Sequence, residues 1–239
     1  MSLFKVGCDI WSATQPLRAF GIEVGSRMTV IRLSDRSLVL ISPIALDETL
    51  VDEITQLGSV SHIIAPNLFH HLFLDVAKQY FPNAKLFGVP GLPEKRLDLS
   101  FDRLLDCPGH LGSALVYLPF RGFQAWRPNG TQIYNEVVFY HHPSSSLIVT
   151  DIAANFSSMA PQMTRLSAKI LGSYNRLSPS RLEKWGTQNK ADVEASVRKV
   201  LEWSFERVIP GHGEIVESNG REMFKMGYEW FLERSLGPN

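Results

Sequence analysis

Short β-branched runs in this chain come in neighbouring pairs, too close for a helix to pass between them, and that spacing limits its fold most. Residues 28–33 (MTVIRL) and 38–42 (LVLIS) flank Ser34-Asp35-Arg36 and read as a hairpin. Further runs lie at 114–119 (ALVYLP), 136–141 (EVVFYH) and 146–150 (SLIVT), the last two joined across His142-Pro143-Ser144-Ser145. Helices enter elsewhere. Asp47 opens one, with Leu50, Ile54 and Leu57 on one face and Gly58 ending it. A short strand at 61–65 (SHIIA), a helix at about 72–80 and a strand at 85–89 follow. After Asn155-Phe156-Ser157, a plausible helix entry, Met159, Met163, Leu166 and Ile170 recur at helical spacing. A helix at 190–203 feeds the strand 206–209 (ERVI), and a last helix spans 219–235. A doubly wound parallel sheet wants a helix after nearly every strand. This mixture instead suits two mixed sheets packed face to face with helices outside.

The 239 residues carry no repeat, no low-complexity tract and no linker-like stretch, so a single domain over 1–239 is expected, with 1–27 as an N-terminal extension packed on it. Lys plus Arg balances Asp plus Glu at 24 each, which removes any global pull toward nucleic acid or anionic lipid. No apolar run approaches the roughly 18 residues that span a bilayer. Cys8 and Cys107 stand far apart and make no disulfide framework. The N-terminus does not read as a signal peptide, so a cytoplasmic protein is expected. The aromatic helix 219–235 reads as core, with a homo-oligomer contact as the alternative.

Seven histidines carry the chemical signal, because imidazole is the commonest metal ligand and proton shuttle near neutral pH. His70 and His71 sit in a loop between a strand and a helix, where two imidazoles can converge on one ion. Thr150-Asp151 follows an apolar strand that can hold a carboxylate at a cleft. In Pro210-Gly211-His212-Gly213 the glycines free the backbone for a tight loop, and the strand before it aims the imidazole. His110, in Cys107-Pro108-Gly109-His110, lacks a second pair to complete a metal set. His62 lies within a strand, and His141 and His142 face opposite ways if both are still in one.

These motifs, in this order, resemble the metallo-β-lactamase fold superfamily over roughly residues 28–235. The resemblance implies an α+β, four-layer αββα sandwich. Pro66-Asn67-Leu68-Phe69-His70-His71 stands where that superfamily has His-x-His-x-Asp-His, and looks closest to a branch marked by Ala-Pro-Asn-x-Phe-His-His. Thr150-Asp151 and the Pro-Gly-His-Gly loop occupy the later places. By this mapping the first metal site is erased, since Pro66 and Leu68 replace its histidines and the mid-chain histidine falls near Gln132. The second site keeps His70, His71, Asp151 and His212. The resemblance therefore implies one divalent ion, zinc first, with iron or manganese as alternatives. The function it implies is a mononuclear hydrolase using metal-activated water on an ester, amide, lactone or phosphoester, with Asp151 as ligand or proton acceptor. Asn67 and Glu136 lie near the vacated site and are expected at the substrate, whose identity the sequence leaves open. A non-catalytic binding or regulatory module is the alternative, and an iron-dependent oxidoreductase a second. Serine-hydrolase and nucleotide-binding motifs are absent from the sequence.

Overall fold

β-Branched and aliphatic residues alternate in strands so that successive side chains face opposite ways, and here that alternation sorts the chain into two cores. A computed structural model describes residues 1–19, 21–128 and 130–237. The first sheet runs β1 (Phe4–Gly7), β2 (Ile10–Gln15), β5 (Ser26–Arg32), β6 (Leu38–Ile41), β7 (Val60–Ile64), β8 (Lys85–Gly88) and β9 (Arg103–Leu104), with a small hairpin β3 (Arg18–Ala19) and β4 (Ile22–Glu23) between β2 and β5. Its β1–β6 half is antiparallel and its β6–β9 half parallel.

The second sheet runs β10 (Gly109–Leu111), β11 (Leu115–Phe120), β14 (Glu136–His141), β15 (Ser146–Ile148) and β16 (Arg207–Ile209), while β12 (Gln124–Arg127) and β13 (Gly130–Ile133) form a side hairpin. Only its β15–β16 pair is parallel, with Ile148 opposite Ile209. Leu115, Tyr117, Val137, Phe139, Ile148 and Ile209 face the first sheet. Their neighbours Leu118, Val138, Tyr140, Leu147 and Val208 face away, toward the last two helices.

Helices cover both outer faces. Asp47 caps α1 (Glu48–Leu57), its carboxylate accepting from the Leu50 N–H, and α2 (Leu74–Tyr80) follows β7. These two bury Leu50, Ile54, Leu74 and Ala77 against the first sheet. A short α3 (Leu92–Lys95) follows β8. On the other side α6 (Lys190–Leu201) and α7 (Gly220–Leu232) bury Val193, Val197, Phe224, Tyr228 and Phe231. α4 (Gln162–Leu171) and α5 (Arg181–Gly186) precede α6 in sequence. The four-layer αββα sandwich is thus as expected. No described helix is long and apolar enough to cross a membrane.

Three expectations need correcting. Residues 1–27 are no appended segment: β2 pairs with β5 from Ile10↔Ile31 to Gln15↔Ser26, and Ile10 and Ala13 are fully buried. The helix expected after Asn155 starts only at Gln162, because Asn155 and Phe156 are taken by bridges to Gly213 and Tyr174. Its buried face is Thr164 and Ala168, so Met159, Met163, Leu166 and Ile170 are 82%, 63%, 52% and 62% exposed. The spacing found the helix but misassigned its inner face. The α7 aromatics do face the core, which leaves Met226 as its exposed apolar side chain.

His141 ends β14 with no exposure; its Nδ1 meets Ser144 Oγ at 2.7 Å and its Nε2 has no partner among the described residues. Burial holds this imidazole neutral, pushing its pKa from 6.5 down to about 4 against a weaker opposing pull from Asp9. The folded state then binds fewer protons than the unfolded one below pH 6.5, so stability is complete above that pH and falls as pH drops toward 4. The loss from this residue is on the order of 3 kcal/mol. Urea unfolding across pH 4–7 should show a flatter profile for His141→Asn than for the parent chain. Equal slopes would refute the assignment.

Candidate metal centre

A loop that leaves a strand carries one N–H and one C=O per residue that must find partners, and the loop after β7 finds many of them on the other sheet. Leu68 N–H donates to the Tyr134 carbonyl at 3.1 Å, and Val137 N–H donates to the Pro66 carbonyl at 2.8 Å. Pro66 and Leu68 thereby tie the two sheets together at the entry to β14. Between them Asn67 is fully buried.

All of the Asn67 carboxamide is used. Its Oδ1 accepts from the Phe69 and His70 N–H groups, both at 2.9 Å, which curls the loop and sets the His70 backbone. Its Nδ2 donates to Glu136 Oε2 at 3.0 Å and to Asp151 Oδ2 at 2.7 Å. Glu136 is fully buried and also accepts the Thr150 and Asp151 N–H groups at 2.7 Å each. Neither residue stands where substrate contact would require it: both lie behind Asp151 and orient it, which corrects the expectation. Burial first, and then the Asp151 charge, push the Glu136 carboxyl up to about 8, against the three N–H donors.

Three side chains converge in front of this support. His70 follows β7, Asp151 follows β15 and His212 follows β16, so each sits past the C-terminal end of a strand in the parallel parts of the sheets. His70 Nε2 lies 3.2 Å from His212 Nε2, and Asp151 Oδ1 lies 3.0 Å from His212 Nε2 and 3.5 Å from His70 Nε2. Their side chains are 6%, 13% and 15% exposed for His70, His212 and Asp151. The opposite ring nitrogens are anchored: His70 Nδ1 meets Ser42 Oγ at 2.6 Å, and His212 Nδ1 donates to the Gly25 carbonyl at 2.7 Å. A carbonyl can only accept, so in neutral His212 the proton is on Nδ1 and the lone pair on Nε2 faces the cluster.

Burial acts to raise the Asp151 carboxyl, but the His70 charge and hydrogen bonds with both imidazoles outweigh it and hold it below the usual carboxylate range. Burial likewise acts to lower His212, and Asp151, through hydrogen bond and charge, carries it above 6.5. Two ring nitrogens and a carboxylate oxygen facing one point, beside a second buried carboxyl group, fit a divalent cation well. Second-sphere acceptors on the outer ring nitrogens are what such ligands ordinarily have.

His71 is not brought to this cluster. Arg96 donates to its carbonyl at 2.6 Å and stands 3.5 Å from its Nδ1. Burial first, then the charges of Lys95 and Arg96, push its pKa down to about 4. The surroundings of His71 favour a neutral ring beside cations, and the site holds three of the four expected donors.

Sequence reasoning missed the parts that aim His212. Gly213 has φ +81° and a Cβ there would overlap the Asn155 carbonyl; a Cβ on Gly211 would press on the Thr150 backbone. Arg27, buried in β5, donates to the Pro210 carbonyl at 2.9 Å and to the Gly213 carbonyl at 2.5 Å, bracketing His212. A guanidinium at an inward strand position was the available signal, since buried cations need acceptors. Ser42, φ +57° at the end of β6, had no such signal.

With this geometry in place, comparison with known proteins is informative. A metallo-β-lactamase from Pontibacter korlensis superposes with a TM-score of 0.63 at 11% identity, covering 97% of this chain and 98% of that one. The Flv1 flavodiiron core from Synechocystis sp. PCC6803 gives 0.68 at 13%, covering 97% of this chain and 60% of that one. A metallo-β-lactamase from Hirschia baltica gives 0.60 at 11%, covering 97% of both. The architecture is therefore that of the metallo-β-lactamase fold. Within it, the chain belongs to the family described as a domain of unknown function, DUF4336, whose model matches residues 8–183. No curated protein matches it by sequence.

Asn67→Asp tests the support beneath Asp151. The change is nearly isosteric but replaces the donor between two buried carboxyl groups with a third, placed against the Asp151 charge, so it should cost about 3 kcal/mol at pH 7. Urea midpoints at pH 7 and pH 5 should show the penalty shrinking as the pH falls. An unaltered midpoint at pH 7 would refute the bridging role.

Proposed function

We propose that this protein is a metal-dependent hydrolase with a single divalent ion held by His70 Nε2, His212 Nε2 and Asp151 Oδ1. The observation that carries the reading is the convergence of those three atoms, each on a side chain whose far end is fixed by Ser42, Gly25 or Asn67. Two imidazoles and a carboxylate leave coordination positions open, as catalytic sites do. One ion in place of two is supported by Pro66 and Leu68, whose side chains offer no donor where the resemblance would have histidines.

A bound divalent ion would supply Lewis acidity and lower the pKa of water reaching it. The chain's own residues do the rest. Asn67 and Glu136 hold Asp151 rigid. Gly25 and Arg27 set the tautomer and direction of His212. Among the described residues Asp151 is the one acid lining the cleft of about 340 Å³ in front of the cluster, and so the group placed to hold an attacking water by a hydrogen bond. Hydrolysis joins the water oxygen to the acyl carbon or phosphorus, breaks the bond to the leaving group, and returns the proton to that group. Esters, amides, lactones and phosphoesters all fit this chemistry.

A second reading has its own support. Two histidines with one carboxylate are also the set that suits non-haem iron, and the fold likeness includes a flavodiiron core. An iron-dependent oxidoreductase is therefore the alternative, and the ion separates the two.

Metal analysis of tag-free protein by plasma mass spectrometry should find about one equivalent of ion, zinc under the first reading and iron under the second. His70→Ala, Asp151→Ala and His212→Ala should each lose it, and His71→Ala should keep it. A folded, metal-free protein that gains no thermal stability from added zinc, iron or manganese would overturn both readings in favour of a non-catalytic binding module.

A further inference from the structure

Two chambers open on the His70–Asp151–His212 cluster, both with largely apolar walls and differing in where their charged side chains stand. The larger, of about 340 Å³, is lined by three cationic side chains, Arg18, Lys95 and Arg127, with Asp151 as its one acid. Lys95 Nζ donates to the Leu68 carbonyl at 2.7 Å and stands 5.1 Å from the Phe69 ring centre, so the ammonium is held beside the cleft with further N–H donors available. Arg18 is exposed on the β3–β4 hairpin at the mouth. The smaller chamber, of about 200 Å³, is walled by Ile22, Val24, Phe156, Ala168, Leu171 and Leu182. Its acid Glu183 is nearly buried and accepts from Tyr134 Oη at 3.0 Å and from the Ser180 N–H at 2.8 Å.

Asp151 and His212 line both chambers, and so do Arg127 and Tyr134. Arg127 Nη2 donates to Tyr134 Oη at 2.9 Å, which continues to Glu183 and makes a polar partition between the two spaces. A ligand that fills both must be apolar at one end, negative at the other, and polar where it passes Asp151 and His212. A short neutral substrate would bring no counter-charge to Arg18 and Lys95 and would leave the apolar walls wet. Apolar burial supplies affinity, and charge complementarity supplies orientation and steering.

We propose that the site takes an amphiphilic anion, with an aliphatic chain in the smaller chamber and a carboxylate or phosphate group on Arg18 and Lys95. The proposal rests on reading the cluster as the reactive centre, since it places the ligand's polar junction there.

Calorimetric titration of the metal-loaded full chain with octyl phosphate and with octanoate, below their micelle concentrations, tests it. At least one should bind about tenfold more tightly than octanol, inorganic phosphate or octyltrimethylammonium at the same salt. Lys95→Ala and Arg18→Ala should each weaken the anionic amphiphile several-fold and leave octanol unaffected. Ala168→Leu, which narrows the apolar chamber, should weaken octyl phosphate and not inorganic phosphate, with thermal unfolding confirming its fold. Equal affinity for inorganic phosphate, or for the cationic amphiphile, would overturn the proposal. Binding without cleavage of any ester would leave the ligand class standing and remove the hydrolase reading. Cleavage of short neutral esters that octyl phosphate fails to inhibit would do the reverse.

Discussion

The carboxamide of Asn67 joins two buried carboxylates that would otherwise repel each other, and it does so at the seam between the sheets. Its two N–H bonds reach Glu136 at the start of β14 and Asp151 after β15, while its oxygen curls the loop that presents His70. Few residue types have both donors and an acceptor on one short planar group. An acid at this position would add charge, and an apolar residue would leave two carboxylates short of a donor inside the protein. The seam, the direction of Asp151 and the curl of the His70 loop therefore depend on one side chain.

Charge follows from that arrangement. Glu136 and Asp151 sit close together out of water, and the groups facing Asp151 from the front are two imidazoles. Protonated histidine or a divalent cation can both answer such a pair, and they compete for the same lone pairs. A cation held there would displace a proton, since His212 otherwise holds one more readily than a free histidine does.

Strand pairing and layer order were legible because hairpin spacing and apolar alternation are local signals. The direction a helix faces was not: the Met159–Ile170 stripe has the periodicity of a core face, yet Thr164 is buried instead, donating to the Glu23 carbonyl. Near the candidate site, residue type and order pointed to His70, Asp151 and His212, which follow strands and do converge. His71 looked equivalent to His70 in sequence, and distant partners distinguish them, Ser42 at His70 and Arg96 at His71. Asn67 and Glu136 were picked out for the right place and the wrong duty. Polar residues in a cleft and polar residues behind it look alike until burial is known.

The contacts that aim His212 come from Gly25 and Arg27, more than 180 residues earlier in the chain. During synthesis the N-terminal strands can pair and the Asn67 loop can form long before this histidine exists. Contacts of such separation carry a high loop-closure cost and come late. A nascent chain that has passed Asp151 thus holds an acidic, partly built pocket with its last imidazole still to arrive. The geometry around His212 can therefore be completed only after both ends of this long stretch of chain have been made.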